Sequence, residues 1–188
     1  MDDSIRDSAA RAAPFADAGD NGMREPSGES WQGLRAPVDG RQSENALRIA
    51  RGARRLLRAA GYATLTEMPL ASGRRADVVG LAADGALAIV EVKSSLADFR
   101  ADRKWTDYRA HCDRLYFAID AATPCDVIPV EAGLILADAF GAEILREAPE
   151  HRLAPATRKS MLLRFARLAA DRLHTLGDPD ATGPFRGR

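Results

Sequence analysis

The sequence predicts an α/β domain in which helices flank a mixed β-sheet. Three observations carry this. The stretch SENALRIARGARRLLRAAGY repeats apolar residues at helical spacing, RRADVVGLAADGALAIVEVKSS reads as two strands around an Asp84-Gly85 turn, and a second long helical pattern follows further strands near the C-terminus.

In the first helix Ser43 is a suitable N-cap, Ala46, Ile49, Ala53, Leu57 and Ala60 recur on one side, and Gly61 is a natural C-terminal stop. The other face carries Arg48, Arg51, Arg54, Arg55 and Arg58, a pattern that suits either a solvated surface or a phosphate-binding one. YATLTEMPL alternates loosely as a strand. In the hairpin that follows, a three-residue loop centred on Asp84 sets Asp77 opposite Glu91 and Arg75 opposite Lys93. A slip of one residue would send these side chains to opposite faces. LADFRADRKWTDYRAHC predicts one helix, with Phe99, Trp105 and Tyr108 as packing anchors, and DRLYFAI predicts a strand. A second hairpin pairs Leu134–Ala137 with Glu143–Arg146 around Gly141, and 155–176 forms an amphipathic helix with Met161, Leu162, Phe165, Leu168, Ala169 and Leu173 inward.

A chain of 188 residues with 46% apolar content suffices for one domain with a real core. Residues 1–40 lack any period and predict a disordered N-terminal tail; the folded domain then covers 41–175, and 176–188 form a flexible C-terminal tail. The net charge of zero hides an asymmetry: residues 1–40 hold eight acidic side chains against four arginines, which leaves the remainder at +4. That sign permits a nucleic-acid partner without demanding one. No stretch approaches the roughly 18 apolar residues of a membrane span, and the N-terminus lacks the apolar run of a signal peptide, so a cytoplasmic protein without a membrane partner is expected. Cys112 and Cys125 form no CxxC and have no His pair at zinc spacing; reduced, packed thiols are expected, with His111 packed beside them.

Charge at the end of the apolar run ALAIVEVKSS is the unusual feature. A strand core tolerates charge only when it is paired, hydrated or bound to a metal. With Asp77 opposite Glu91 at about 5 Å between Cα atoms, and Lys93 two residues along the same face, three charged groups converge. Two such carboxylates repel unless one is protonated or a cation lies between them. Mg²⁺ suits the place because it takes oxygen ligands, often one or two carboxylates, and keeps water and phosphate in its other positions. The Val92 backbone carbonyl lies at the right height for a third protein ligand. The alternative is ordinary ion pairing, Asp77 with Arg74 or Arg75 and Glu91 with Lys93, worth about 0–1 kcal/mol per pair at a surface.

RADVVGLAADGALAIVEVKSS followed by DFRADRKWTDYRAHCDRLYFAI resembles the PD-(D/E)XK nuclease superfamily, and closely resembles the MmcB family of bacterial DNA-repair-related endonucleases, over Ser43 to Leu173. The resemblance implies a restriction-endonuclease-like mixed sheet and a metal-dependent nuclease that hydrolyses DNA phosphodiester bonds with Mg²⁺ or Mn²⁺. By position Asp77 matches the first acidic residue of the motif, Glu91 the second and Lys93 the lysine, while Glu44 matches an acid that many members place on the first helix. Ala76 stands where the motif has proline. Asp98, Lys104 and Tyr108 are auxiliary candidates, since helical residues after the lysine often complete such sites. Arg48, Arg51, Arg55 and Arg58, with Lys104, are the candidate DNA contacts. The rival reading is a non-catalytic DNA-binding or scaffold module of the same fold, and the N-terminal tail is a candidate attachment segment for other repair proteins.

Overall fold

Ser43 opens the first helix as its spacing predicts. Its hydroxyl accepts from the Ala46 amide at 3.1 Å, and α1 runs Glu44–Ala59. At the other end Gly61 takes φ 83°, the Tyr62 amide donates to Leu57 O at 2.9 Å, and the Gly61 amide donates to Arg58 O at 3.0 Å. This is a Schellman closure, which a residue with a Cβ would strain. The computed structural model describes residues 43–101 and 105–178. The expected tails therefore lie outside the described residues, apart from 176–178, of which Leu176 and Gly177 close the last helix.

Six strands, β1 (Ala63–Pro69), β2 (Arg75–Leu81), β3 (Leu87–Val92), β4 (Arg114–Ile119), β5 (Gly133–Ala137) and β6 (Ala142–Arg146), form one sheet in chain order. The first three make an antiparallel meander, β3, β4 and β5 are parallel neighbours, and β6 returns antiparallel to β5. The α/β class with a mixed sheet is thus as the sequence predicts. Every residue of β3 is buried, as expected for a strand covered on both faces. On one face Ile49, Ala53 and Leu57 of α1 pack against Val78, Val90, Tyr116 and Ile135. On the other, Val79, Ile89 and Phe117 pack with Tyr108, Met161 and Phe165, which belong to α3 (Thr106–Arg109) and α4 (Pro155–Gly177).

Three expectations are corrected. The single helix expected over 96–112 is two short ones, α2 (Leu96–Ala101) and α3. Phe99 and Trp105 both meet the Phe117 ring edge-on, at 5.5 and 5.8 Å between centroids. Six residues apart on one straight helix, they would point about 240° apart, so a single straight helix would not bring both to one ring. Leu173 is 61% exposed rather than inward. The stripe of Met161, Phe165 and Leu168 reaches Arg172 in the next turn, and Arg172 holds the Glu67 carbonyl, which turns Leu173 outward. Finally, only Cys112 is packed; Cys125 is exposed at the start of a 3-10 turn.

Asp113 ties the layers together. It accepts from the Leu87 amide at 2.8 Å, the Leu153 amide at 3.1 Å and both Arg158 terminal nitrogens at 2.7 and 2.8 Å. Arg158 also donates to Gly85 O at 2.7 Å, so β3, α4 and the turn between β2 and β3 share one polar knot. Asp113→Ala would leave two amides and a guanidinium short of partners. Breaking a pair of this kind costs about 3–5 kcal/mol. Urea unfolding at neutral pH should show that loss; a change below about 1 kcal/mol would mean that water replaces the carboxylate.

Candidate active site

The β2–β3 register is Val78↔Val90, Val79↔Ile89, Gly80↔Ala88 and Leu81↔Leu87. Carried one step further, it sets Asp77 opposite Glu91, the arrangement the three-residue loop predicts. At that step the ladder changes character. The Asp77 amide donates to Glu91 Oε1 at 3.2 Å, and the Val92 amide donates to Asp77 Oδ2 at 2.8 Å. Each carboxylate thus braces the backbone of the other strand. Both side chains lie on the face that carries Val79 and Ile89, under α3 and α4, because side chains alternate along a strand.

Glu91 and Lys93 are buried, at 2% and 7% exposure. Burial, and then the charge on Asp77, push the Glu91 carboxyl from its ordinary 4.5 up to about 8, against the pull of Lys93, the Asp77 amide and the Tyr108 hydroxyl. Lys93 Nζ lies 5.8 Å from the centre of the Phe117 ring, and Phe117 is the residue paired with Glu91 on β4. Phe99 and Trp105 close around the same ring, which makes Trp105 a packing residue here.

Tyr108 is buried and donates its hydroxyl to Glu91 while accepting from Arg74. Arg74 in turn donates to Asp107 Oδ2 at 2.9 Å, with its guanidinium 5.3 Å from the centre of the Tyr108 ring. The chain Asp107–Arg74–Tyr108–Glu91 fixes the carboxyl from the helical side. Sequence reasoning names Tyr108, names Arg74 only as an ion-pair partner for Asp77, and misses Asp107; Arg74 and Asp107 come from a turn and a helix distant in sequence. It also misses Glu67. The β1–β2 register, Thr66↔Val78 and Met68↔Ala76, places Glu67 across from Asp77, with φ 52° and an ion pair to Arg75.

The remaining candidates are placed as follows. Glu44 is exposed at the start of α1, and among the described residues no three His, Cys, Asp or Glu side chains converge to hold a metal ion, so Glu44 is not grouped with Asp77 and Glu91. Its neighbour Asn45 is the residue that reaches the strand ends, donating to Asp120 Oδ2 at 2.7 Å and Ser94 O at 3.4 Å. The Val92 carbonyl ends β3 between Glu91 and Lys93. Asp98 falls in α2 with its side chain outside what is described, and Lys104 lies outside the described residues. Arg48, Arg51 and Arg58 are exposed on α1, whereas Arg55 donates to Phe140 O at 2.7 Å and Ala139 O at 3.3 Å.

The donor set fits a hard cation in kind. Two carboxylates and a carbonyl are oxygen ligands, and two carboxylates are a number that Mg²⁺ commonly accepts. A testable consequence precedes any cation. Because the folded state raises the Glu91 pKa above its unfolded value, the stability this group contributes is present at low pH and is lost as pH rises from about 4.5 to about 8. Glu91→Gln, neutral throughout, removes that dependence. The unfolding free energy of the unchanged protein relative to the variant, measured in EDTA, should therefore fall between about pH 5 and pH 8. A flat difference would contradict a buried neutral carboxyl.

Comparison with known proteins adds the following. The SPO1766 protein of unknown function from Silicibacter pomeroyi aligns with a TM-score of 0.73 and 46% identity, covering 77% of this chain and 99% of that one. A repair endonuclease from Pyrococcus abyssi overlaps with a TM-score of 0.27 and 20% identity, over 47% of this chain and 40% of its own, too little to carry an argument. No curated protein matches the sequence. A family profile described as "DNA repair protein MmcB-like" matches residues 34–180. That span takes in every described strand and helix, and the chain belongs to the MmcB-like family of DNA repair proteins.

Proposed function

We propose that the protein is a metal-dependent nuclease acting on DNA phosphodiester bonds. The observation that carries the reading is the convergence of half-buried Asp77 with buried Glu91 and Lys93 on one face at adjoining strand ends, with each carboxylate braced by the opposite backbone. Structural ion pairs do not need this cross-bracing, and a buried acid pushed up to about 8 is a costly group to keep without use.

On this reading Asp77, Glu91 and the Val92 carbonyl hold Mg²⁺ or Mn²⁺. When bound, the cation supplies Lewis acidity toward a phosphodiester oxygen and the attacking water. To hold the cation Glu91 would have to be ionised, its proton passing to solvent, so cation affinity would rise with pH toward the carboxyl's own pKa. Tyr108 and Arg74 hold that carboxyl in place as its charge changes. Lys93, walled by Phe117, places a compact positive charge where negative charge develops on phosphorus. Arg48 and Arg51, exposed on α1, meet the DNA backbone. A second reading, a non-catalytic DNA-binding module, is favoured by one observation: no third acidic side chain joins Asp77 and Glu91 among the described residues.

Incubation with branched, nicked, single-stranded and duplex DNA in Mg²⁺, Mn²⁺ or EDTA separates the two. The nuclease reading expects metal-dependent cleavage that falls at least about 100-fold in Glu91→Gln, with DNA binding in EDTA retained. Cleavage unaffected by that change would place the chemistry elsewhere, and binding without cleavage of any substrate would favour the module. In Arg48→Ala plus Arg51→Ala, the slope of log affinity against log salt on duplex DNA should drop by about 0.9 for each phosphate contact removed. An unchanged slope would return both arginines to a solvated surface.

A further inference from the structure

The arginines of α1 divide between two sides of the helix. Arg55 serves the turn between β5 and β6, against which Gly52 sits so tightly that a Cβ would lie 2.3 Å from Asp138 O. Arg54 faces the other way, toward the free edge of β1. Its neighbours there are Arg58, one turn along, and Arg172, which arrives from α4 on the opposite face of the sheet. Arg172 Nη2 donates to Glu67 O at 3.4 Å, which fixes the meeting point at the middle of β1. Glu67 takes φ 52°, a backbone conformation that few residues with a Cβ adopt.

This gathering of like charge is incomplete on its own terms. Arg54 Nε is buried and has no hydrogen-bond partner. Burial, then the charges of Arg58 and Arg172, hold the Arg54 guanidinium below the usual arginine range, and burial does the same to Arg172. Arg172 is drawn by the Glu67 and Asp171 carboxylates, and Glu67 is ion-paired with Arg75, yet the Arg54 donor stays unmade. A buried donor left unmade on Arg54, beside two further guanidinium groups, is costly unless an acceptor meets it. Guanidinium groups suit one anion chemistry above others, the tetrahedral phosphate group, which they bind through paired N–H donors.

We propose that Arg54, Arg58 and Arg172 form a phosphate-binding site at the β1 edge, and that it takes a backbone phosphodiester of nucleic acid beside the Asp77–Glu91 pair. The choice of a backbone phosphate over a free one rests on the nuclease reading. It also follows from position, because Glu67, which Arg172 holds, lies across the register from Asp77. A strand whose scissile phosphate reaches Asp77 and Glu91 would then lay a neighbouring phosphate on the arginines.

The test uses the full chain with Arg54→Met and, separately, Arg172→Met, which keep an unbranched apolar stem, and Arg152→Met at a 90% exposed arginine as control. Melting temperatures are compared in sodium phosphate and in sodium chloride at equal pH and ionic strength. The unchanged protein and the control should melt higher in phosphate. Arg54→Met should melt above the unchanged protein in chloride, since an orphaned cation is gone, and should lose the phosphate increment; Arg172→Met should lose the increment too. A purely structural arginine predicts the opposite sign in chloride. On duplex DNA in EDTA the salt slope should fall by about 0.9 in either variant. An undiminished phosphate increment in both variants would overturn the site. A lost increment with an unchanged salt slope would overturn its assignment to nucleic acid and leave a site for free phosphate. If Glu91→Gln leaves cleavage intact while these variants lower the slope, the nuclease reading fails and the phosphate site stands.

Discussion

The exchange of backbone rungs for carboxylates at Asp77 and Glu91 is the constraint around which this molecule is built. A strand pair normally satisfies its amides with carbonyls, and at this point it uses acids instead. That substitution works only if the register is held, because one residue of slip would turn both acids away from the face they share. It also works only if the charge is managed, since two carboxylates in a buried place cannot both ionise without a cation. Burial, and then the charge on Asp77, raise the Glu91 carboxyl against the pull of Lys93.

Both ends of the hairpin are pinned accordingly. At the turn, Arg158 holds Gly85 O and Asp113 holds the Leu87 amide, so the loop cannot migrate along the strands. At the open end the crossed carboxylates hold the last pair. Beside them the parallel strand β4 brings Phe117 against Lys93, and α3 brings Tyr108 to Glu91. A mixed sheet suits this task. Its antiparallel half supplies two acids from one tight hairpin, and its parallel half supplies a strand end over which helices converge.

Sequence reasoning read the hairpin well because a two-residue period, a turn at Asp84-Gly85 and a fixed loop length leave little freedom in register. The same holds for α1, whose cap and stop residues are local signals. What escaped it depends on contacts between distant segments. The separate helices α2 and α3 bring two aromatics to one ring, and no periodicity encodes that ring's position. Leu173 fits an apolar stripe in sequence, yet a charged residue occupies the inward place beside it because Glu67 O needs a donor. Arg74 and Asp107 read as ordinary surface charges until Tyr108 is seen between them and Glu91. Tyr108, by contrast, is a candidate through the family resemblance, in which helical residues after the lysine often complete the site, although its spacing alone equally fits a core residue.

Two electrostatic arrangements of opposite sign therefore lie near each other at the β1–β2–β3 end of the sheet. In the acid pair, burial and the charge on Asp77 raise the Glu91 carboxyl to about 8 even against the pull of Lys93. In the arginine group Glu67 and Asp171 draw Arg172, while Arg54 keeps a lowered guanidinium pKa and an unmade hydrogen bond. The acid pair does not serve the Arg54 donor, because β1 stands between them. On the readings proposed above, a nucleic-acid backbone accompanied by a divalent cation meets both at once: the cation completes the acids and the phosphates complete the arginines. Each half then strengthens the other, since a bound cation draws phosphate and a bound phosphate draws the cation.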